Sequence, residues 1–242
     1  MTSFDAITLE VADLAAAERF YANAFGLGSR LRLRASQEPA TGFRGFTLSL
    51  TVAQPADVDL LIGGALDAGA TVLKPAGKSM WGYGGVVQAP DGTIWKVATS
   101  AKENTGPATG QIGDVVLLLG TTDIAASRQC YVDQGFTVEK SFGRMYVQFA
   151  AAGTVKLGLY RRRALAKDAG VAPEGSGSHR IVMIGAGDFT DPDGFAWASG
   201  QPAGSARERM PSSAGRSATE VSGAARGRRC SSNPFPAADS GR

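Results

Sequence analysis

The chain is written twice from one pattern, and nothing else in it restricts the fold as much. Ile7–Tyr21 reads ITLEVADLAAAERFY, and 110 residues later Leu117–Tyr131 reads LLLGTTDIAASRQCY. Asp13 meets Asp123, Leu14 meets Ile124, Ala15 and Ala16 meet Ala125 and Ala126, and Tyr21 meets Tyr131. A second pair follows in the same order at an offset of 102: Ala89–Trp95 (APDGTIW) and Asp191–Trp197 (DPDGFAW). Two copies of one module are therefore expected. The first spans 1–100 and the second 111–199. A Gly- and Pro-bearing linker, 101–110, lies between them.

Each copy opens on a short apolar, β-branched run, which reads as a strand. Asp13 and Asp123 stand where a helix N-cap is needed. Behind Asp13, Leu14, Ala17, Phe20, Tyr21 and Phe25 recur at spacings of three and four, giving the helix one apolar face. In copy two Cys130 replaces Phe20, as a small buried residue. Gly26 and Gly135 stop the helices. Strand-like segments follow at Arg30–Arg34, Phe46–Val52, Thr137–Phe142, Met145–Ala150 and Val155–Tyr160. Pro55–Ala70 is a second helix in copy one, and Ala164–Ala169 is its shorter equivalent in copy two. Each copy closes on a hairpin whose Pro-Asp-Gly turn presets the reversal. The fold class is α+β, with strand, helix and three strands per copy.

Composition excludes several functions. No apolar run approaches the ~18–20 residues of a membrane-spanning helix, so no membrane role is expected. MTSFDAITLE is not a secretory signal, and a cytoplasmic location follows as an expectation. Two cysteines, Cys130 and Cys230, are too few for a disulfide scaffold or a Cys-based zinc site. His179 is the single histidine, in the Gly/Ser-rich segment GSGSHR, and no Ser–His–Asp or Cys–His arrangement accompanies it. IGAGD at Ile184–Asp188 lacks the strand–GxGxxG–helix context of a dinucleotide site. No cofactor is therefore expected. The basic charge sits at the end of the chain: residues 200–242 carry seven arginines and three acids, against 18 basic and 19 acidic residues elsewhere. That segment, rich in Gly, Ala, Ser and Pro, has no apolar periodicity and is expected to be disordered. With no basic cluster interleaved with aromatics on a folded element, nucleic acid is not an expected partner. Arg161–Arg163 and Asp168 read as the solvated surface of a short helix.

The repeated motifs, ITLEVADLAAAERFY with APDGTIW and LLLGTTDIAASRQCY with DPDGFAW, resemble the vicinal oxygen chelate superfamily. It includes glyoxalase I, bleomycin-resistance proteins and extradiol dioxygenases. The resemblance covers about residues 4–198. It implies two βαβββ modules in a curled mixed sheet around a cavity. In the metal-dependent members, first and last strands supply His, Glu or Gln ligands to that cavity. Carried onto this chain, the ligand positions are Ala6, Lys96, Val116 and Ala198. Alanine and valine have no donor atom, and an ammonium repels a cation. No metal is expected.

Strand alternation then lines the cavity. Thr8 and Glu10 follow Ala6 on its face, and Ile94 and Ala98 flank Lys96. Lys96 is expected either to pair with Glu10 or to meet a charged ligand. In MWGYGGVV (Met80–Val87), Trp81 and Tyr83 are two apart and share a face if both lie in a strand, beside glycines that leave room. Such a pair can stack a planar ligand. Trp95 and Trp197 fall on the opposite face, between sheet and helix. The leading expectation is a metal-free binder of a small planar or apolar molecule, using Thr8, Glu10, Trp81, Tyr83 and Lys96, with a homodimer allowed. Two alternatives remain: a metal-dependent lyase or dioxygenase, and a metal-free enzyme with Glu10 as base.

Overall fold

Alternation of apolar and polar residues makes the first strand. In the computed structural model, which describes residues 2–150, 152–200 and 228–229, β1 (Phe4–Val11) buries Ile7, Leu9 and Val11 completely and leaves Glu10 partly exposed. Helix α1 (Leu14–Ala24) starts at once, because the Asp13 carboxylate accepts from the amide of Ala16 at 2.9 Å. Copy one continues with β2 (Leu31–Ala35), β3 (Ala40–Gly42), β4 (Phe46–Val52), α2 (Pro55–Asp67), β5 (Thr71–Ser79), β6 (Gly82–Gln88) and β7 (Ile94–Thr99). Copy two runs β8 (Ile112–Thr121), α3 (Ile124–Asp133), β9 (Val138–Phe142), β10 (Tyr146–Phe149), β11 (Val155–Arg161), α4 (Arg162–Ala169), β12 (Gly175–Gly177), β13 (Ile181–Gly185), β14 (Phe189–Thr190) and β15 (Ala196–Ser199). The disorder expected over 200–242 falls outside the described residues, apart from Gly200 and the strand β16 (Arg228–Arg229), which pairs in parallel with β14.

The architecture is α+β with mixed sheets. An eight-stranded sheet runs β5-β6-β7-β4-β8-β11-β10-β9, and a six-stranded sheet runs β16-β14-β15-β13-β1-β2. Both sheets join the two copies. In the larger one β4 pairs antiparallel with β8, Ser49 opposite Val116. In the smaller one β1 pairs antiparallel with β13, Ala6 opposite Ile184. Two complete strand–helix–three-strand modules are present, and together they form the larger sheet. Their limits, 46–99 and 112–161, differ from the copy boundaries read from the repeat. In each, the last strand returns parallel to the first: β7 beside β4, and β11 beside β8. The smaller sheet repeats the scheme in shortened form. β1 and β2 are parallel partners joined through α1, with no intervening hairpin, and β13 pairs in parallel with β15, with no helix between them. The sequence repeat did not separate full from shortened modules, because it pairs β1 and α1 of a shortened module with β8 and α3 of a full one, both strands running into an Asp-capped helix.

One large core lies against the helix-bearing face of the eight-stranded sheet. Leu48, Leu50, Trp95, Val97, Leu117 and Leu159 are buried there with Ile7 and Leu9 of β1 and Val58 of α2. Trp95 and Trp197 both lie in it, as alternation requires. The linker is tied down by two polar side chains of the α2 start. Gln54 accepts from the amides of Thr105 and Gly106, and buried Asp57 accepts from those of Thr109 (2.6 Å) and Gly110 (2.9 Å).

Candidate functional site

The other face of the eight-stranded sheet carries the polar residues. Pairing puts Lys96, Ser49, Val116 and Lys156 in one row across β7, β4, β8 and β11. All four are partly exposed, while their neighbours along each strand are buried in the core. Helix α4 lies across this face. Leu165, Ala166 and Ala169 pack with Phe43, Val86 and Ile94 into a second apolar cluster. This face is thus partly covered by the chain itself. Gly170 ends α4 at φ 82°, a left-handed C-cap that suits glycine.

Two ion pairs sit on the row. Lys96 Nζ is 2.7 Å from Asp168 of α4, and Lys156 Nζ is 2.8 Å from Asp114. Between them, the buried Ser49 hydroxyl has no hydrogen-bond partner among the described residues. The expected pairing of Lys96 with Glu10 does not occur. Glu10 lies on the smaller sheet and pairs with Arg34 of the neighbouring strand, as cross-strand register dictates. Thr8, also on β1, lies opposite Val182 and Arg32. The proposed wall of Thr8, Glu10 and Lys96 is therefore split between two sheets.

The aromatic pair is also divided. Trp81 stands in the β5–β6 turn, 83% exposed, so strand alternation begins only after it. Tyr83 shares the register of Thr99 on the helix-bearing side and donates to Asp59 of α2 at 2.8 Å. That hydrogen bond, then burial, raises its pKa. The glycines beside them serve packing, not ligand space. A Cβ on Gly84 would stand 2.8 Å from the Val97 carbonyl, and one on Gly85 would stand 3.0 Å from Ala76. Even so, a cleft of about 380 Å³ brings Trp81, Tyr83, Lys74, Lys78, Lys96 and Asp168 to one rim. The sequence reading missed the two lysines of β5 and the role of Asp168. The short helix at 164–169 was legible, but nothing in its pattern told which surface it would cover.

His179 is hydrogen-bonded: Nδ1 lies 2.6 Å from the Arg44 carbonyl and Nε2 lies 3.1 Å from the Asp193 carbonyl. Its ring stacks on Phe195 at 4.0 Å.

No family model and no curated protein matches the sequence. Solved structures do match. Glyoxalase I from Zea mays superposes with a TM-score of 0.55 at 14% identity, over 82% of this chain and 92% of that one. A mutant of the same maize enzyme gives 0.54 over 82% and 93%. A glyoxalase/bleomycin resistance protein/dioxygenase family enzyme from Burkholderia phytofirmans is 20% identical over 40% of this chain and 98% of its own, at a TM-score of 0.37. This chain has the vicinal oxygen chelate fold. At such identity the likeness establishes the fold alone.

The metal that the fold implies can be tested against the donors present. The row on the larger sheet offers two ammoniums, a hydroxyl and an isopropyl group. On the smaller sheet Ala6, Ile184 and Ala198 stand in register and offer no donor. Neither row fits a divalent cation, which needs carboxylate, imidazole or carbonyl ligands and is repelled by lysine. Among the described residues no group of three His, Cys, Asp or Glu is placed to hold an ion. No helix among them is long and apolar enough to cross a membrane.

Proposed function

We propose that the protein binds a planar organic anion, without a metal ion, in the cleft beside the β5–β6 turn. The observation that carries this reading is the Lys96 ammonium on the sheet face that α4 crosses, held by the carboxylate of Asp168. The two side chains are 35% and 45% exposed, so their pairing is worth only ~0–1 kcal/mol. A ligand carboxylate can take the place of Asp168 at small cost. The helix itself stays, because Leu165 is 1% exposed and burying such a side chain contributes roughly 1.5–3 kcal/mol. Lys74 and Lys78 add positive charge to the rim, although Lys74 also donates to the Lys167 carbonyl at 2.8 Å. The exposed Trp81 ring supplies a stacking face worth about 0.5–1.5 kcal/mol. Glu10 is not given the role of base, because its carboxylate is engaged by Arg34.

The test is titration with 2-naphthoate, followed by calorimetry and tryptophan fluorescence. Saturable binding is expected. Lys96→Met should weaken it by about tenfold or more, and Trp81→Ala by a few-fold to about tenfold. Neither substitution should shift the melting temperature appreciably, because both side chains touch solvent. Unchanged affinity in Lys96→Met, or no binding by any of a set of aromatic carboxylates, rules the reading out.

A further inference from the structure

We propose that a second cleft, walled by arginines, binds a phosphate ester of an apolar or planar group. This goes beyond the site around Lys96 and does not depend on it. The cleft is about 890 Å³, within the range of small-molecule sites. It opens where β8 runs into α3, beside the β9–β10 turn and the junction of β11 with α4. It shares no lining residue with the Lys96 cleft.

Four arginines line it: Arg144, Arg161, Arg162 and Arg163. Among the described residues none of them forms an ion pair. Neutral carbonyls position two of them instead. Arg161 Nε donates to the Arg144 carbonyl at 2.8 Å, and Arg162 donates to the carbonyls of Pro173 (3.0 Å) and Phe43 (2.6 Å). Carbonyls orient a guanidinium without cancelling its charge. Among the described residues only two carboxylates reach the lining, Asp123 and Glu174, and that of Asp123 also caps α3. Four guanidiniums against two carboxylates leave the lining with net positive charge.

Local helix chemistry agrees. Arg161 is the N-cap of α4, and Arg162 and Arg163 are its first residues, with no side-chain cap and no acid in the first turn. Cations there oppose the helix dipole by about 0.3–1 kcal/mol each, so the arrangement is a cost unless an anion sits among them. A third, independent sign is Thr121. It is 1% exposed, lines the cleft opposite Arg161 on the neighbouring strand, and its hydroxyl has no partner among the described residues. A buried hydroxyl left unpaired costs about 1–3 kcal/mol, and an acceptor oxygen on a ligand would satisfy it. Guanidinium forks match the geometry of phosphate oxygens, and several forks suit a dianion better than a single carboxylate. Ile124, Met145 and Pro173 give the cleft an apolar wall for the esterified group.

The probe is phenyl phosphate, titrated calorimetrically into the full chain, with phenol and 2-naphthoate as controls. Phenyl phosphate should bind saturably and more weakly as salt rises, and phenol should not bind. The double variant Arg144→Gln/Arg163→Gln changes two exposed side chains and should weaken phenyl phosphate by about tenfold or more while its circular dichroism and melting stay the same. Thr121→Val should weaken it several-fold. Lys96→Met should leave it unchanged, and the arginine double variant should leave 2-naphthoate unchanged. The proposal falls if phenyl phosphate does not bind, if the arginine substitutions do not affect it, or if Lys96→Met abolishes it. In the last case the phosphate occupies the other cleft.

Discussion

The two copies close on the same Pro-Asp-Gly tripeptide but wire it differently. In copy one the Tyr21 hydroxyl donates to Asp91 at 3.0 Å and Trp95 Nε1 donates to the same hydroxyl at 3.4 Å. In copy two Tyr131 donates to Asp191 at 2.9 Å and Trp197 donates to Tyr131 at 3.3 Å. The two clusters look alike, yet Asp191 aligns with Ala89, not with Asp91. The residue aligned with Asp91 is Asp193, which turns away to accept from the amide of Thr122 and the hydroxyl of Ser127, each at 2.8 Å. Copy two has moved the acceptor two residues towards the N-terminus and deeper into the core. The consequences are electrostatic. Asp191 is 5% exposed, and burial, with help from the charge of Asp193, pushes its pKa up to about 6 despite donors from Phe195 and Tyr131. Burial, then the neighbouring aspartate, raises both tyrosines well above their ordinary value. A shared turn motif thus specifies the reversal of the chain and leaves the polar network to the surrounding burial.

The largest expected effect is on pH dependence. Unfolded, Asp191 titrates near ~3.9; folded, it does so at about 6. Between those values the folded state holds a proton that the unfolded state has released. This contribution is complete below the unfolded pKa and is lost as pH rises through the folded one. Stability should fall by up to ~3 kcal/mol between pH ~4 and ~7 from this group alone. Asp191→Asn should remove that part of the slope. Urea denaturation of both proteins across the interval measures it, and an unaltered slope in the variant would mean that Asp191 titrates as an ordinary carboxyl.

Removing the tyrosine hydroxyls sharpens the comparison at smaller scale. In copy one, Asp91 Oδ2 also accepts from the Thr93 hydroxyl at 2.9 Å, so Tyr21→Phe leaves that oxygen partnered. In copy two, among the described residues, Oδ2 of Asp191 has Tyr131 alone, because Asp193 and Phe195 amides occupy Oδ1. Tyr131→Phe strands a buried carboxylate oxygen and should cost about 1–3 kcal/mol, and Tyr21→Phe less than that. Equal losses in thermal or chemical denaturation would show that the rewiring carries no energetic difference.

The helices were legible in the sequence because each has a local cause. Asp13 and Asp123 cap helices, Pro55 starts one, and Gly26 and Gly135 stop two, so helix positions followed within a few residues. The pairing was less legible. That β4 meets β8, and β1 meets β13, is decided by which apolar faces can be buried together, and the strands themselves do not announce it. The site suffered most. Lys96 was put on the face opposite Trp95 as a ligand position carried over from the resemblance, but its partner came from α4, a segment far along the chain. Trp81 and Tyr83 were assigned one face because the turn between β5 and β6 was not recognised, and alternation fails across a turn. Arg161–Arg163 read as solvated surface, since a charge run looks the same whether it faces bulk water or a cleft that Arg144 and Thr121 complete.

The smallest expected effect comes from the two helix caps, and it separates two roles that coincide in one copy only. Asp13 accepts one amide, that of Ala16 at 2.9 Å, and Asp123 accepts those of Ala125 and Ala126 at 2.9 and 3.3 Å. Replacing either by alanine should cost about 0.5–2 kcal/mol, the usual range for an N-cap. Their surroundings differ. Asp123 lines the arginine-walled cleft, and Asp13 does not. Asp123→Ala removes one of the two carboxylates there, so it should lower stability and at the same time strengthen phenyl phosphate binding. The gain should be a few-fold, because a charge at the mouth of an open cleft is well screened. Asp13→Ala should lower stability by a similar amount and leave that affinity unchanged. Opposite signs for stability and affinity in Asp123→Ala cannot arise from a capping residue that only holds its helix. If both variants lose stability and neither changes affinity, Asp123 is a cap and nothing more, and the phosphate must lie too far from α3 to sense its charge.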